Sequence, residues 1–378
     1  MAVKVVNSLG AIDAGVWNRL AGDHPFLRHE FLHALHETGC ACEDTGWAPR
    51  YLVAFDGARL TGAMPLYLKM HSRGEFVFDW AWADAYERNN LEYYPKLLAA
   101  VPFTPVSGQR ILAESDAVFD ELADTALAAA RDSNVSSLHC LFPPREQADR
   151  MAARGMMLRH GVQFHWTNAG DATFDEYLSH MNHTKRKKIK QERRRVRDAG
   201  ISFSWIDGAD ITDADWTFFV RCYNQTYREH HSRPYLNIDF FRNIGRGMPR
   251  NLLMIVAERA GKRIGASFNV HNGKRLYGRY WGAIEHHPAM HFEACYYQVI
   301  EYCIARGIQV FEGGAQGEHK MARGLLPVET CSAHWLAHPQ FAAAIEQFLE
   351  REARGVASYI DELHEHSPFR ADVERPVA

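Results

Sequence analysis

"LLMIVAERAGKRIGASFNVHNGKRLYGRYWGAIE", residues 252 to 285, contains three strand patterns in succession, and its reading decides the fold class. Residues 252–259 and 263–272 are apolar, β-rich runs joined at Ala260, Gly261 and Lys262, which is hairpin chemistry. Residues 274–285 alternate aromatic with small side chains and predict a long strand. Downstream, "FEACYYQVIEYCIARG" has helical spacing with Gly307 at its C-terminal cap, and "IQVFEGG" is a short buried strand. Hairpins mixed with a strand–helix–strand crossover predict a mixed α/β sheet and not a doubly wound parallel one.

The same grammar occurs earlier in the chain. Helical patterns at about 14–21 and 28–38 precede a hairpin, "PRYLVAF" and "LTGAMPLYLKM" around "DGAR". "GEFVFDWAWADAY" then reads as the long aromatic strand, with Phe76, Phe78, Trp80 and Trp82 on one face. "DAVFDELADTALAAARDS" is an amphipathic helix and "SSLHCLF" a buried strand. Two copies of one plan are expected, residues 1–170 and 171–378. The boundary falls near "TNAGDATFDEYL", where Thr173 and Glu176 offer a capping box.

Composition agrees with two ordered globular halves: 378 residues, 47% hydrophobic and 24% charged. No signal-type apolar start and no membrane-length apolar window occur, so a cytoplasmic protein is expected. Seven scattered cysteines without C-x-x-C read as reduced thiols. His29, His33 and His36 share a helix face but lack the glutamate and third ligand of a metal motif, and no metal site is assigned.

One segment stands apart. "HTKRKKIKQERRRVRDAG", residues 183–200, places nine lysines and arginines between Lys185 and Arg197 against Glu192 alone. Nine cations less one anion give +8, so the rest of the chain carries −11 of the net −3. Leu178, Met181, Ile189 and Val196 form an apolar stripe, leaving Lys187, Lys190, Arg194 and Arg197 on the outer arc. The run is either a solvated face or a phosphate-binding surface for tRNA or a nucleotide-linked or lipid-linked substrate; without interleaved aromatics, a phosphate-backbone reader is favoured over a base stacker.

This plan resembles the GNAT acyltransferase fold, and its duplication resembles the Fem-type peptidoglycan aminoacyl ligases. The stretches "HPFLRHEFLHALHETGC", "HSRGEFVFDWAWADAY", "YYPKLLAAVPFTPVSGQRIL", "GRYWGA", "FEACYYQVIEYC" and "FEGGAQGEHKMARGLLP" are similar to the signature blocks of the bacterial FemAB-like family. The resemblance implies tandem GNAT-like domains and an N-acyltransferase acting on an amine acceptor such as a peptidoglycan precursor. In "EGGAQGEHKMARGLLP", Lys320 and Gly324 stand at the family's lysine and glycine, with His319 where an aromatic is usual. The GNAT pyrophosphate loop is replaced by "IEHHPAMHF", which points to aminoacyl-tRNA more than acyl-CoA as co-substrate, with no tightly bound cofactor.

Acyl transfer needs a proton acceptor and stabilisation of an oxyanion. Lys320 is the candidate cation, Glu318 the first choice of general base and His319 the second, with Gln316, Arg323, Arg279 and Tyr280 as substrate contacts. In the first half, Asp79 and Asp84 interrupt an apolar run, and Lys96 would pair with them structurally or share an acceptor-amine site. The alternative to an enzyme is a catalytically silent GNAT-like module that binds RNA or phosphate through the basic helix; a structural scaffold is the third reading.

Overall fold

The three strand patterns of residues 252–285 fold as an antiparallel meander, Leu252–Arg259, Lys262–His271 and Arg275–Ala283, in a computed structural model that describes residues 1–315, 317–370 and 372–373. Ile201–Asp207 pairs antiparallel on the outer side of Leu252–Arg259. The first strand is buried over its six residues 252–257, because both of its faces are covered. Gly282 permits close approach of the helix Asp213–Glu229, since an added Cβ would lie 2.1 Å from the Cys222 carbonyl oxygen.

A crossover follows: a turn at Met290–Phe292, a π-helical turn at Glu293–Tyr297 and the helix Gln298–Arg306, closed by Gly307 in the left-handed region. It delivers Val310–Glu312 parallel to Arg275–Ala283, with Arg275, Leu276 and Tyr277 opposite Val310, Phe311 and Glu312. The register covers those three pairs and leaves Gly278 to Ala283 beyond it. Thr167, Trp166 and His165 of Met157–Thr167 complete the row antiparallel on the far side of Val310–Glu312.

The first half uses the same construction. Tyr51–Asp56 and Arg59–Met64 form a hairpin, and Leu66–Lys69 pairs antiparallel with Lys96–Ala99. The helix Asp116–Asp132 crosses over to Ser137–Leu141, which lies parallel to Lys96–Ala99. On its other side Ser137–Leu141 meets residues 332–336 of the strand Leu326–Leu336, antiparallel. Each crossover helix covers a core of its own, one built on Leu122, Leu127 and Leu138, the other on Val299, Ile300 and Phe311.

Two expectations change. The counterpart of Arg275–Ala283 is Lys96–Ala99, not residues 74–86, which form a loop followed by the helix Trp80–Arg88. Trp82 and Tyr86, four apart, are the buried residues of that helix while Trp80 is 44% exposed. Alternating aromatics therefore mimicked a two-residue period over a segment that buries every fourth residue. Second, the compact units are residues 1–161 with 329–358, and 162–328 with 359–378. A single cut near 170 assigns residues 329–358 to the wrong unit. At Thr173 the hydroxyl caps the Glu176 N–H at 3.1 Å, but the Glu176 carboxylate accepts from Ala172 at 2.7 Å, so the box is displaced by one residue.

The first unit has a fully buried polar network. Lys96 donates to Asp79 at 2.5 Å, Glu75 at 2.8 Å and Ser72 at 2.7 Å. Tyr93 donates to the same Asp79 oxygen and contacts the His139 Nε2, whose Nδ1 lies 2.7 Å from the His334 Nδ1. One imidazole N–H serves that last contact only while both rings do not carry a second proton. Burial first, then the Lys96 charge, hold His139 down to about 3, and burial holds His334 well below the usual histidine range.

Both groups have folded pKa values below their unfolded ones, so below about pH 6.5 the unfolded chain takes up protons that the folded chain refuses. Unfolding midpoints in urea should fall as pH decreases from about 6.5 toward 4, and a His139→Phe/His334→Phe variant should show a flatter dependence. Lys96→Met leaves Asp79 buried without its lysine, and Glu75 with only Lys69 at 3.8 Å, and should cost about 3–5 kcal/mol; a midpoint within error of the parent would show that the pair is dispensable.

Candidate active site

Beyond Glu312 the chain runs through Gly313 and Gly314 into the short helical turn Glu318–Arg323. An added Cβ at Gly313 would fall 2.6 Å from Leu325, which accounts for glycine there. The Lys320 side chain folds back and donates to the carbonyls of Gly314 at 2.9 Å and Ala315 at 3.1 Å. It is 3% exposed, and burial with the nearby Arg279 charge lowers its pKa to about 8. Gln316 lies outside the described residues.

The other members of this turn separate in role. Glu318 is exposed and accepts from the Tyr359 hydroxyl at 2.5 Å. His319 places its Nε2 3.1 Å from the Tyr296 hydroxyl, and burial with the Arg323 and Lys320 charges lowers its pKa. Arg323, expected at the substrate, is 3% exposed and committed internally. It donates to the His319 carbonyl at 2.7 Å and to both Glu192 oxygens at 3.1 Å, and its guanidinium lies 3.5 Å from the centre of the Phe292 ring. Lys320, Glu318 and Arg323 thus do not line one open cleft: two are buried and one is exposed.

The opening lies on the other side of Phe292. A cavity of about 1060 Å³ is walled by Tyr223, Tyr227, Arg279, Tyr280, His291 and Phe292. Arg279 stacks on Tyr280 at 5.1 Å, and Tyr280 meets Tyr223 edge to face at 5.1 Å. His291 is pulled down to about 4, first by burial and then by the charges of His319, Arg323 and Lys320. The His319 ring sits 6.1 Å from Phe292 and 5.9 Å from Tyr296. The Glu318–Arg323 turn is therefore packed directly behind one wall of the cavity, and Arg279 acts electrostatically on both.

The first-half candidates form no part of this site. Asp79 and Lys96 belong to the buried network of their own unit, the structural ion-pair outcome, and Asp84 is exposed on the helix Trp80–Arg88.

The basic run is a single helix, His183–Asp198, capped by Asn182, whose side chain accepts from the Lys185 N–H. Ile189 and Val196 are its buried residues; Leu178 and Met181 precede the helix and share one core with Ile189, while Val196 packs in another with Ile201 and Ile264. Lys187, Lys190, Arg194 and Arg197 are all exposed and recur at spacings of three, four and three, which aligns them in one stripe about 15 Å long. Glu192 points inward, accepting from Arg323 and from the Tyr297 hydroxyl, and Arg193 reaches Glu293 at 3.0 Å and Glu301 at 2.7 Å. These two residues brace the basic helix against the crossover helix. Their roles, and those of Tyr223, Tyr227 and His291, escape a linear reading; the lone acid in the run was the available signal.

Comparison with known proteins fits this architecture. No curated protein sequence matches the chain. The solved structure of FemX shares its fold with a TM-score of 0.54 at 11% identity, covering 92% of this chain and 100% of that one. The L-PGS from Bacillus licheniformis superposes with a TM-score of 0.56 at 9% identity, covering 92% and 99%. The C-terminal domain of a putative lysylphosphatidylglycerol synthetase from Agrobacterium fabrum gives 0.54 at 10% identity, covering 89% and 95%. A family model described as peptidoglycan biosynthesis/recognition matches residues 8–371, and the mixed α/β chain belongs to the FemAB-like family.

Proposed function

We propose that the chain is an N-acyltransferase that moves an aminoacyl group from aminoacyl-tRNA to an amine, with a peptidoglycan precursor as the acceptor class. The observation that carries the reading is the Lys320 ammonium, buried beside Arg279 where the parallel strands part. Its ammonium has three N–H donors, of which the Gly314 and Ala315 carbonyls take two. The third, without a further acceptor among the described residues, is assigned to the oxyanion that forms when the acceptor amine attacks an ester carbonyl.

In that step the amine nitrogen bonds to the carbonyl carbon, and the C=O electron pair moves to oxygen beside Lys320. Collapse re-forms the carbonyl and breaks the ester C–O bond. The amine proton goes to a base, and the departing ribose hydroxyl is protonated in turn. His319 suits that exchange better than Glu318, because its lowered pKa keeps it neutral near pH 7 and it packs against the cavity wall. Arg323 then acts through position: it fixes His319 by its backbone carbonyl.

Two features favour tRNA over acyl-CoA as the donor. The loop before the crossover helix carries Glu285 and Pro288 in place of a glycine-rich diphosphate cradle. The Lys187–Arg197 stripe, in contrast, gives a polyanion several contacts in line. A protein that binds tRNA but transfers nothing would be the RNA-binding module instead.

Lys320→Ala should reduce transfer from aminoacyl-tRNA by about a hundredfold or more with tRNA affinity retained. Since the reaction needs the charged amine and its pKa is near 8, the wild-type rate relative to that of Lys320→Arg, which stays charged, should decline as pH rises through about 8. A wild-type rate that increases there relative to Lys320→Arg would exclude the oxyanion role. Neutralising Lys187, Lys190, Arg194 and Arg197 together should flatten the plot of log affinity against log salt by about 0.7 per lost contact with single-stranded RNA, or about 0.9 with duplex. An unchanged slope with an unchanged melting temperature would mark the run as a solvated face.

A further inference from the structure

A second cavity, of about 640 Å³, lies along the basic helix, and its size is that of a small-ligand site. Its rim includes Arg194 and Arg197, and among the described residues neither has an ion-pair partner. The other two cations on the rim are already engaged: Lys190 with Asp175 at 3.2 Å, Arg193 with Glu293 and Glu301. The floor is apolar, formed by Phe174, Leu178, Val196, Ile201 and Phe203. Opposite the arginines stand Gln298 and Glu301, the latter's carboxylate 38% exposed.

We infer that this cavity seats one nucleotide, with its phosphate on Arg194 and Arg197 and its base on the apolar floor. The inference rests on the proposed docking of RNA along the basic helix and names the unit that helix receives. Paired guanidiniums match phosphate oxygens in a bidentate geometry that a lysine does not offer. Inorganic phosphate would leave the floor unused, whereas a planar base covers it. A lipid chain would have to pack against Glu301, whose carboxylate disfavours hydrocarbon; the same oxygen accepts from a base amino group or a ribose hydroxyl. The aromatic ring that the basic run lacks is supplied by Phe203 of the flanking strand Ile201–Asp207, since the Phe174 ring is already covered by the Arg193 guanidinium at 4.5 Å. A nucleotide held there is turned out of its stack, as single-stranded RNA allows.

The experiment is calorimetric titration of the full chain with each nucleoside 5′-monophosphate, with adenosine and with inorganic phosphate. At least one monophosphate should bind saturably and about tenfold or more tightly than either adenosine or phosphate alone. Arg194→Ala/Arg197→Ala should weaken it by about tenfold or more. Lys188→Ala removes one charge from another exposed arc of the same helix and should leave it unchanged. Melting temperatures of both variants verify that exposed substitutions leave the fold intact. Monophosphates that bind no better than phosphate, or that respond equally to Lys188→Ala, overturn the site. Salt-dependent tRNA binding without mononucleotide binding also overturns it, while leaving the docking stripe standing; mononucleotide binding without tRNA binding supports the site and removes the stripe's role.

Discussion

Three residue pairs in parallel register, Arg275 to Tyr277 against Val310 to Glu312, are the constraint on which the second unit depends. A parallel pair needs a crossover, and here the crossover begins at the cavity with the turn Met290–Phe292 and ends at Gly307. Where the register stops, Gly278 to Ala283 continues toward the cavity while Gly313 and Gly314 lead away into the turn that carries His319 and Lys320. The divergence gives the cavity one wall from Arg279 and Tyr280 and places Lys320 at the parting point.

Both units begin the corresponding strand with a cation that is held by a buried carboxylate: Arg275 with Glu312 at 2.7 Å, Lys96 with Glu75 at 2.8 Å and with Asp79. In the first unit the surrounding polar groups, through Tyr93, His139 and His334, are enclosed and hold one oxygen each of Glu75 and Asp79, while Glu75 Oε1 and Asp79 Oδ1 stay buried without a hydrogen bond. In the second, the Lys320 ammonium is buried behind the wall of an open cavity and, among the described residues, is held by two backbone carbonyls. Shared topology therefore does not imply shared chemistry: in the first unit the buried lysine is paired with buried carboxylates, in the second it meets only backbone carbonyls among the described residues.

Arg323 illustrates how much of a charged sequence serves position. Its guanidinium joins Glu192 of the basic helix, the Phe292 ring at the cavity and the backbone of His319. Such a residue is costly to remove because three elements lose one contact point together. It also means that the basic helix supports the reactive turn from behind while presenting its cationic stripe outward.

Local pattern alone determined a good deal: the hairpin and long strand of residues 252–285, the helices 14–21 and 116–132, and the single amphipathic basic helix with its outward cations; Lys320 was singled out by the family resemblance of its glycine-rich strand end. These are legible because periodicity, turn residues and charge runs act between neighbours in sequence. Only the tertiary structure decided that residues 80–88 are helical, since aromatics spaced by two satisfy either period until burial selects Trp82 and Tyr86. It alone assigned residues 329–358 to the first unit, and it alone turned Arg323 inward to Glu192, 131 positions away. Partners so distant leave no local signature: sequence supplies the charge, and which opposite charge it meets is set by the packing that brings them together.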